Sequence, residues 1–157
     1  MDGPVDLVEF ETMLLSRYTL NPHFRSANGL LERSAYLLLS RLAATGPLSI
    51  RQLSDALRLD ASTLNRQTGT LLRTRLVERI ADPDGGMARK FRLTEAGRAR
   101  LDAARAANSE GMAKVLAGWP PADVTAFAAY LQRFNNGIEA LAGSPWPRAQ
   151  TAAQPSR

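Results

Sequence analysis

Residues 49–97 constrain the fold more than any other part of the chain, because they predict two helices joined by a tight turn. Ser49 and Gln52 have the spacing of a capping box, which starts one helix. Asp60 is placed to cap a second helix that extends to about Leu76. A compact helix pair of this kind is typical of folds that insert one helix into the major groove of DNA.

A short basic wing is predicted directly after this helix pair. Residues 77–81 and 89–93 favour strands, and Asp84-Gly85-Gly86 supplies the turn between them. A surplus of positive charge equal to the whole net charge of +5 falls within residues 51–100. A surface that contacts phosphates would concentrate charge in this way, although a solvated basic face is the alternative interpretation.

Four further helices are predicted around this segment. The first starts at Asp2-Gly3-Pro4 and ends near Asn21, and the second covers about 32–44. Thr94 caps the fifth, which reaches about Trp119. The fold class expected is mainly α with a small two- or three-stranded β wing. The 157 residues favour one domain over 1–142, followed by a flexible tail rich in Pro, Ala and Ser over 143–157.

The sixth predicted helix carries the most regular apolar pattern in the chain. Its apolar residues recur every three or four positions, at Val124, Phe127, Leu131, Phe134, Ile138 and Leu141. This heptad-like seam suits packing against another helix. The partner helix is either in the same subunit, as an intrachain core, or in a second copy of the chain.

The composition argues against catalysis and against a membrane protein. The chain has no cysteine and one histidine, His23, so thiol chemistry is excluded and a metal site is not expected. It lacks a phosphate-binding glycine loop and a nucleophile elbow. We therefore expect neither an enzyme nor a cofactor. Short apolar runs and an acidic N-terminus, MDGPVDLVEF, indicate a cytoplasmic protein.

The helix that follows Asp60 has two different faces, and we call it the recognition helix. At 3.6 residues per turn, Leu64, Thr68, Leu71 and Leu72 face the core. The opposite side and its borders carry polar residues that predict DNA contacts: Ser62, Thr63, Asn65, Arg66, Thr70 and Arg73. Arginine can pair with guanine and asparagine with adenine, whereas hydroxyls in the first turn suit phosphates. In the wing, Arg89 and Lys90 are further candidates for DNA contacts.

The ordered set of these motifs resembles the MarR family of bacterial winged-helix transcription regulators. The carrying segments are LLLSRLAATGPLSIRQLSDAL, then ASTLNRQTGTLLRTRLVERIADPDGG, then FRLTEAG. The family's Leu-Thr-x-x-Gly element is residues 93–97, and its wing entry is Asp82-Pro83-Asp84. The match covers about residues 30–100 by motif and the remainder by helix order.

The resemblance implies a homodimer that binds a pseudo-palindromic operator in double-stranded DNA. Residues 30–100 would form the winged helix-turn-helix, and helices within 4–21 and 94–142 would hold the dimer. Such proteins commonly repress transcription and release DNA when a small aromatic or anionic compound binds between the first, second and fifth helices. Candidates for that pocket are Arg17, Tyr18, His23 and Tyr36. A regulator without an effector is the other interpretation.

Two departures from the family pattern affect these expectations. The arginine usual at the wing tip is missing, since Gly85-Gly86-Met87 occupies the corresponding stretch. The glycine usual at the end of the recognition helix is Arg75, so a different helix exit is expected there. The missing wing arginine leaves a second functional hypothesis open. In that alternative, a degenerate winged-helix protein acts through protein contacts without specific operator binding.

Overall fold

The computed structural model describes residues 3–20 and 31–148, and contacts divide the chain into two units, 1–30 and 31–157. Six helices and two strands lie in the described ranges, and confirm the expected fold class. They are α1 (Pro4–Leu20), α2 (Arg33–Thr45), α3 (Ile50–Leu57), α4 (Ala61–Arg73), β1 (Val77–Ile80), β2 (Lys90–Leu93), α5 (Glu95–Val115) and α6 (Pro121–Ala142).

The first unit contributes α1, whose apolar side chains are mostly exposed. Pro4 begins the helix, and the Asp6 carboxylate accepts the Gly3 N–H at 3.1 Å. Among its apolar and aromatic residues, Leu7, Phe10 and Tyr18 are exposed and Leu14 is half-buried.

The core of the second unit forms where α2 packs against α4, α5 and β2. Three leucines of α2 spaced for one helical face are almost completely buried, as the periodicity predicts: Leu38, Leu39 and Leu42. Helices α3, α4 and α5 and the two strands bury one or two apolar residues each: Leu53, Leu64, Leu71, Val77, Phe91, Leu101 and Ala104.

Both helices of the helix-turn-helix begin at the predicted caps. The Ser49 hydroxyl accepts the Gln52 N–H at 3.2 Å, and the Gln52 side chain accepts the Ser49 N–H at 2.9 Å. This reciprocal pair satisfies two donors that would otherwise lack partners at the start of α3. Helix α3 ends at Arg58, which has a left-handed backbone with φ 56°.

The wing is a two-stranded β-hairpin, and one residue before α3 pairs with its second strand. Strands β1 and β2 pair antiparallel, with Val77 opposite Leu93. Leu48 forms an isolated bridge to Phe91, and their two backbone hydrogen bonds measure 2.8 and 3.2 Å. The segment before α3 is therefore tied to the wing, which fixes the hairpin against the helix-turn-helix.

Helix α4 ends in a Schellman motif. The Arg75 N–H bonds to the Leu72 carbonyl and the Leu76 N–H bonds to the Leu71 carbonyl. Arg75 adopts the left-handed conformation with φ 58°, so the expectation of a different helix exit is wrong. The motif keeps its geometry with a non-glycine residue at a strain of about 1–2 kcal/mol.

The Leu-Thr-x-x-Gly element joins this exit to α5. Thr94 caps α5, since its hydroxyl accepts the Gly97 N–H at 2.9 Å, and it also donates to the Arg75 carbonyl at 2.8 Å. A Cβ on Gly97 would collide with the backbone carbonyl of Leu76. Glycine at this position is therefore required by the close approach of α5 to the end of α4.

Helix α5 ends at Val115, earlier than predicted, and Gly118 makes the turn to α6 with φ 85°. Helix α6 has no buried residue, and its apolar seam is exposed except for the half-buried Val124. The intrachain-core interpretation of the seam is thus wrong for the described residues.

Residues 143–148, at the start of the predicted flexible tail, bond to the last turns of α6. The Trp146 N–H bonds to the Glu139 carboxylate at 2.9 Å, and Arg148 pairs with the same carboxylate. Residues 149–157 lie outside the described part of the chain. No helix of residues 3–20 or 31–148 has both the length and the apolarity needed to cross a membrane. In the same ranges, no three His, Asp or Glu side chains are arranged to hold a metal ion.

Candidate DNA-binding surface

The structure divides the recognition helix, α4, into the two predicted faces. Leu64, Thr68 and Leu71 are buried, and Leu72 is half-buried. The predicted polar residues lie on the outside, where only Thr63 is half-buried: Ser62, Thr63, Asn65, Arg66, Thr70 and Arg73. The helix therefore presents a polar surface while its other side is held in the core.

The N-terminus of α4 is occupied by the carboxylate of Asp60. That carboxylate accepts the Thr63 N–H at 2.7 Å, the Ser62 hydroxyl at 2.6 Å and the Thr63 hydroxyl at 3.0 Å. The hydrogen bond from Ser62, followed by those from Thr63, lowers the pKa of Asp60 to about 2. A stable negative charge thus fills the place at which a phosphate would bind.

This cap changes the role that Ser62 and Thr63 can have. Each hydroxyl has one proton to donate, and here both protons are donated to Asp60. A phosphate oxygen needs a donor, so these hydroxyls can contact phosphate only after leaving the cap. The geometry supports a structural role for both residues in starting α4 with the correct orientation.

Asn65 and Arg66 form the part of the face that is available to a ligand. Both are exposed, and neither side chain bonds to another residue in the described part of the chain. Thr70 donates to the Arg66 carbonyl at 3.2 Å, so its hydroxyl proton stays within the helix. The amide and the guanidinium can form the bidentate pairs that read adenine and guanine in the major groove.

Arg73 lies back along α4 instead of extending into solvent. Its guanidinium donates to the Thr70 hydroxyl at 3.0 Å and passes over Gly69, where an added Cβ would lie 3.5 Å from it. The small residue at 69 makes room for this position. Arg73 therefore adds positive charge beside the Asn65–Arg66 surface, with part of its donor capacity already used.

The two cations predicted to make wing contacts have different environments. The Lys90 ammonium is 3.1 Å from the Asp82 carboxylate, and their side chains are 11% and 13% exposed. Hydrogen bonds from the Asp84 N–H and then from Lys90 lower the pKa of Asp82. Lys90 is thus paired across the wing turn, and little of its side chain is exposed to solvent. Arg89 is exposed, and its guanidinium bonds to no other side chain among the described residues, so the prediction of a wing contact now falls on Arg89.

The wing tip carries no cation. Gly85 has φ 82° and its N–H bonds to the Asp82 carbonyl at 3.0 Å, which makes a tight turn. A Cβ on Gly86 would collide with the Asp82 carboxylate, which would have to move from its place beside Lys90. Met87 extends fully into solvent at the tip. It can offer an apolar contact, but it cannot replace an arginine in the minor groove.

One of the four candidate effector residues lines a groove in the second unit. Tyr36 of α2, which is half-buried, faces α5 and the start of α6 across an open groove of about 720 Å³. The other lining residues are Arg105, Asn108, Ser109, Met112, Ala113, Leu116 and Val124. Most of this lining is apolar, with one cation and two small polar groups. It could accept an aromatic ring that carries an anionic substituent.

The remaining effector candidates are not among the residues that line this groove. Arg17 and Tyr18 belong to the first unit, where the guanidinium lies 6.0 Å from the tyrosine ring centre. His23 lies outside the described residues. Sequence reasoning missed Arg105, because its i,i+3 pairing with Asp102 is typical of an ordinary solvated helix face. Only the packing of α2 beside α5 shows that Arg105 and Tyr36 share a groove.

Comparison with known proteins gives one consistent result. The sequence profile of the MarR family matches residues 31–86. The chain is 35% identical over 137 residues to YxaD of Bacillus subtilis (strain 168), named as an uncharacterized HTH-type transcriptional regulator. That alignment covers 87% of this chain and 96% of YxaD.

Two solved structures show the same fold. A MarR family protein from Bacillus stearothermophilus superposes with a TM-score of 0.72 at 19% identity, covering 88% of this chain and 99% of that one. BpsR of Bordetella bronchiseptica superposes with a TM-score of 0.62 at 18% identity, covering 83% and 98%. The BpsR structure concerns the regulation of its DNA binding by 6-hydroxynicotinic acid.

Proposed function

The chain belongs to the MarR family of transcriptional regulators, and from this premise we propose that it is a homodimeric repressor that binds a pseudo-palindromic operator. The observation that carries the proposal is the exposed Asn65–Arg66 surface of α4. Both side chains suit base recognition, and neither has a partner in the described part of the chain. A degenerate module acting through protein contacts would have no need for two such donors on the recognition helix.

Dimerisation is supported by the apolar side chains that the described structure leaves uncovered. The α6 residues Phe127, Leu131, Phe134 and Ile138 are 39–50% exposed, and Leu141 is 93% exposed. Exposed apolar faces of this kind mark protein–protein interfaces. A second copy would cover the seam and place two recognition helices on successive turns of the major groove.

In this proposal Arg66 reads a guanine, Asn65 reads an adenine, and Arg73 and Arg89 contact the phosphate backbone. Ser62 and Thr63 orient the start of α4 through Asp60, and Lys90 stabilises the wing. This assignment differs from the sequence-based expectation, which used all of these residues except Asp60 as DNA contacts. Thr70 supports Arg73 and reaches DNA only if that hydrogen bond is exchanged.

The proposal also includes a small-molecule effector that releases the protein from DNA. The groove beside Tyr36 and Arg105 suits a small aromatic anion, and BpsR shows that a protein of this fold can be regulated by such a compound. Binding there would wedge between α2, which belongs to the winged-helix core, and the start of α6. The role proposed for the protein is binding and not catalysis, and we expect it in the cytoplasm with the DNA that it regulates.

The first test is in vitro selection of bound duplexes from a random pool. We expect an inverted repeat with half-sites one helical turn apart, bound with an affinity that falls steeply as salt increases. Failure to enrich any sequence, or binding that does not respond to salt, would favour the alternative of a degenerate module acting through protein contacts.

The second test separates base reading from phosphate contact. Arg66→Ala is expected to cost about 1–3 kcal/mol and to relax preference at one base position in each half-site. Arg89→Ala should weaken all sequences equally and reduce the salt slope by about one unit for each phosphate that the wing no longer neutralises. Lys114→Ala on α5 removes the same charge far from α4 and serves as the control. Equal and sequence-independent losses from Arg66→Ala and Arg89→Ala would refute the assignment of Arg66.

A further inference from the structure

The segment that follows α6 folds back onto the helix-turn-helix. The Trp146 ring lies against Arg41 of α2, with the guanidinium carbon 5.2 Å from the ring centre. Arg41 also donates to the Pro145 carbonyl at 3.5 Å, and the Ser144 hydroxyl donates to the Ala56 carbonyl of α3 at 3.5 Å. We call residues 143–148 the clasp.

The clasp is held in its own conformation by the last turn of α6. Gly143 adopts a left-handed backbone with φ 66°, which turns the chain away from the helix axis. The Glu139 carboxylate then accepts hydrogen bonds from the backbone N–H of Trp146 at 2.9 Å and from the guanidinium of Arg148 at 2.8 Å. These bonds hold Trp146 in position beside Arg41.

Arg58 adds a second connection at the same place. It ends α3 in the left-handed conformation, and its guanidinium donates to the Ala142 carbonyl in the last turn of α6. A cation at a helix C-terminus is stabilised by the helix dipole and satisfies a carbonyl that has no partner within the helix. Arg58 therefore combines two features: its backbone is left-handed, and its side chain connects the end of α3 to the end of α6.

These connections are important because α6 has little other anchorage to the winged-helix core. No residue of α6 is buried, and its apolar seam is uncovered. Trp119 packs on Phe127 where α5 meets α6, with ring centres 5.6 Å apart, but this contact lies at the opposite end of the helix. The clasp therefore ties the free end of α6 to α2 and α3.

We propose that Trp146, Arg41, Arg58 and Glu139 are positioning residues that fix α6 relative to the helix-turn-helix, and so set the separation of the two recognition helices in the dimer. The inference rests on the proposed function, since it requires a dimer joined through α6 and a DNA site with two half-sites. A hinge at this end of α6 would let each recognition helix swing, whereas a closed clasp allows a single half-site spacing.

The clasp depends on a small number of contacts, so the loss of one large side chain should open it. Arg41 Nε is buried without a hydrogen-bond partner, which opposes docking of the ring over it. The remaining hydrogen bonds are partly or fully exposed. Removal of the Trp146 ring should therefore release the clasp while the buried leucine core of the winged helix stays intact.

The DNA test measures affinity for the selected operator and for versions lengthened or shortened by one base pair between half-sites. One base pair rotates a half-site by about 34° and moves it by about 3.4 Å. We expect the parent protein to prefer its selected spacing by about tenfold or more, and Trp146→Ala to reduce this ratio to about threefold or less. Trp146→Phe keeps an aromatic ring beside Arg41 and should restore the preference. An unchanged ratio in Trp146→Ala would overturn the proposal.

A second measurement works without DNA. The chain has no cysteine, so a thiol-reactive spin label attaches only to cysteines that are introduced. We choose Asp55→Cys on α3 and Ala129→Cys on α6, because both positions are exposed. Diluting the labelled chain with unlabelled protein isolates the distance within one subunit. Trp146→Ala, or the milder Glu139→Gln, should broaden a narrow distribution, and Trp146→Phe should not. If the distribution broadens but the parent protein selects no DNA, the proposed function fails while the positioning role stands. If it stays narrow in both variants, the clasp proposal is refuted whatever the protein binds.

Discussion

Replacing Gly97 by alanine tests how closely α5 approaches the end of α4. The added Cβ would collide with the backbone carbonyl of Leu76 and press on the Leu93 side chain. The main obstacle is backbone, so no rotamer change can remove it. Either α5 moves outward or the exit of α4 shifts, and both movements disturb the Thr94 cap that joins them.

The cost follows from the bonds that such a shift would break. The Leu76 carbonyl accepts the Thr94 N–H at 3.1 Å and shares the Thr94 hydroxyl proton with the Arg75 carbonyl. Losing these bonds costs about 1–3 kcal/mol. Overpacking adds about 1–3 kcal/mol, and the higher helix propensity of alanine returns at most about 1 kcal/mol. The net loss is near 3 kcal/mol, which lowers Tm by about 6–12 °C in a chain of this size.

Gly111→Ala is the matched control, because it makes the same substitution on the same helix. No atom lies within 4 Å of a Cβ built at Gly111, so this variant should gain up to about 1 kcal/mol. Thermal and urea unfolding at one protein concentration would compare the two, since a dimer's stability depends on concentration. A Gly97→Ala protein as stable as Gly111→Ala would refute the close-approach explanation.

Three further outcomes are expected. Arg75→Gly should leave DNA affinity unchanged and raise the free energy of unfolding by up to about 1 kcal/mol. The reason is that relief of left-handed strain exceeds the entropy that glycine adds to the unfolded chain. A lower free energy of unfolding in urea would contradict this. Lys90→Met should lower Tm by leaving the Asp82 carboxylate without its cation, while the salt slope of DNA binding stays unchanged; a smaller slope would show that Lys90 contacts phosphate. Asp60 and Glu139 have pKa values lowered to about 2 from 3.8 and 4.5, so their stabilisation is complete above about pH 5 and is lost as pH falls towards 2. Glu139→Gln should make acid unfolding less steep, and an identical pH profile would exclude its role.

Local signals in the sequence predicted most of the helix-turn-helix correctly. Ser49, Asp60 and Thr94 each cap the helix that follows them, because a cap needs only a side chain within three residues of the N–H groups that it satisfies. The buried face of α4 was predicted for a similar reason, since a 3.6-residue period determines which side chains share a face. The end of α5 was placed four residues too late, because Pro120-Pro121 marked the latest point at which the helix could end.

The candidate site was predicted less well than the fold, because side-chain partners are not visible in a helical projection. Ser62 and Thr63 project outward as expected, but both donate to Asp60. Lys90 belongs to a basic stretch, and yet the hairpin turn brings Asp82 against it. Charge counts along a sequence do not distinguish a cation that is paired across a turn from one that faces solvent.

The sequence by itself determined where the helices of the winged-helix core begin, which face of α4 is polar, and that positive charge is concentrated around it. These properties depend on neighbours within about four residues. Only the tertiary structure decided which polar groups remain available, with Asn65, Arg66 and Arg89 unpaired among the described residues and Lys90 engaged. The tertiary structure also brought residues 143–148 onto α2 and α3, where Trp146 meets Arg41. Contacts between positions some hundred residues apart depend on how the helices pack, and no periodicity or local motif encodes that distance.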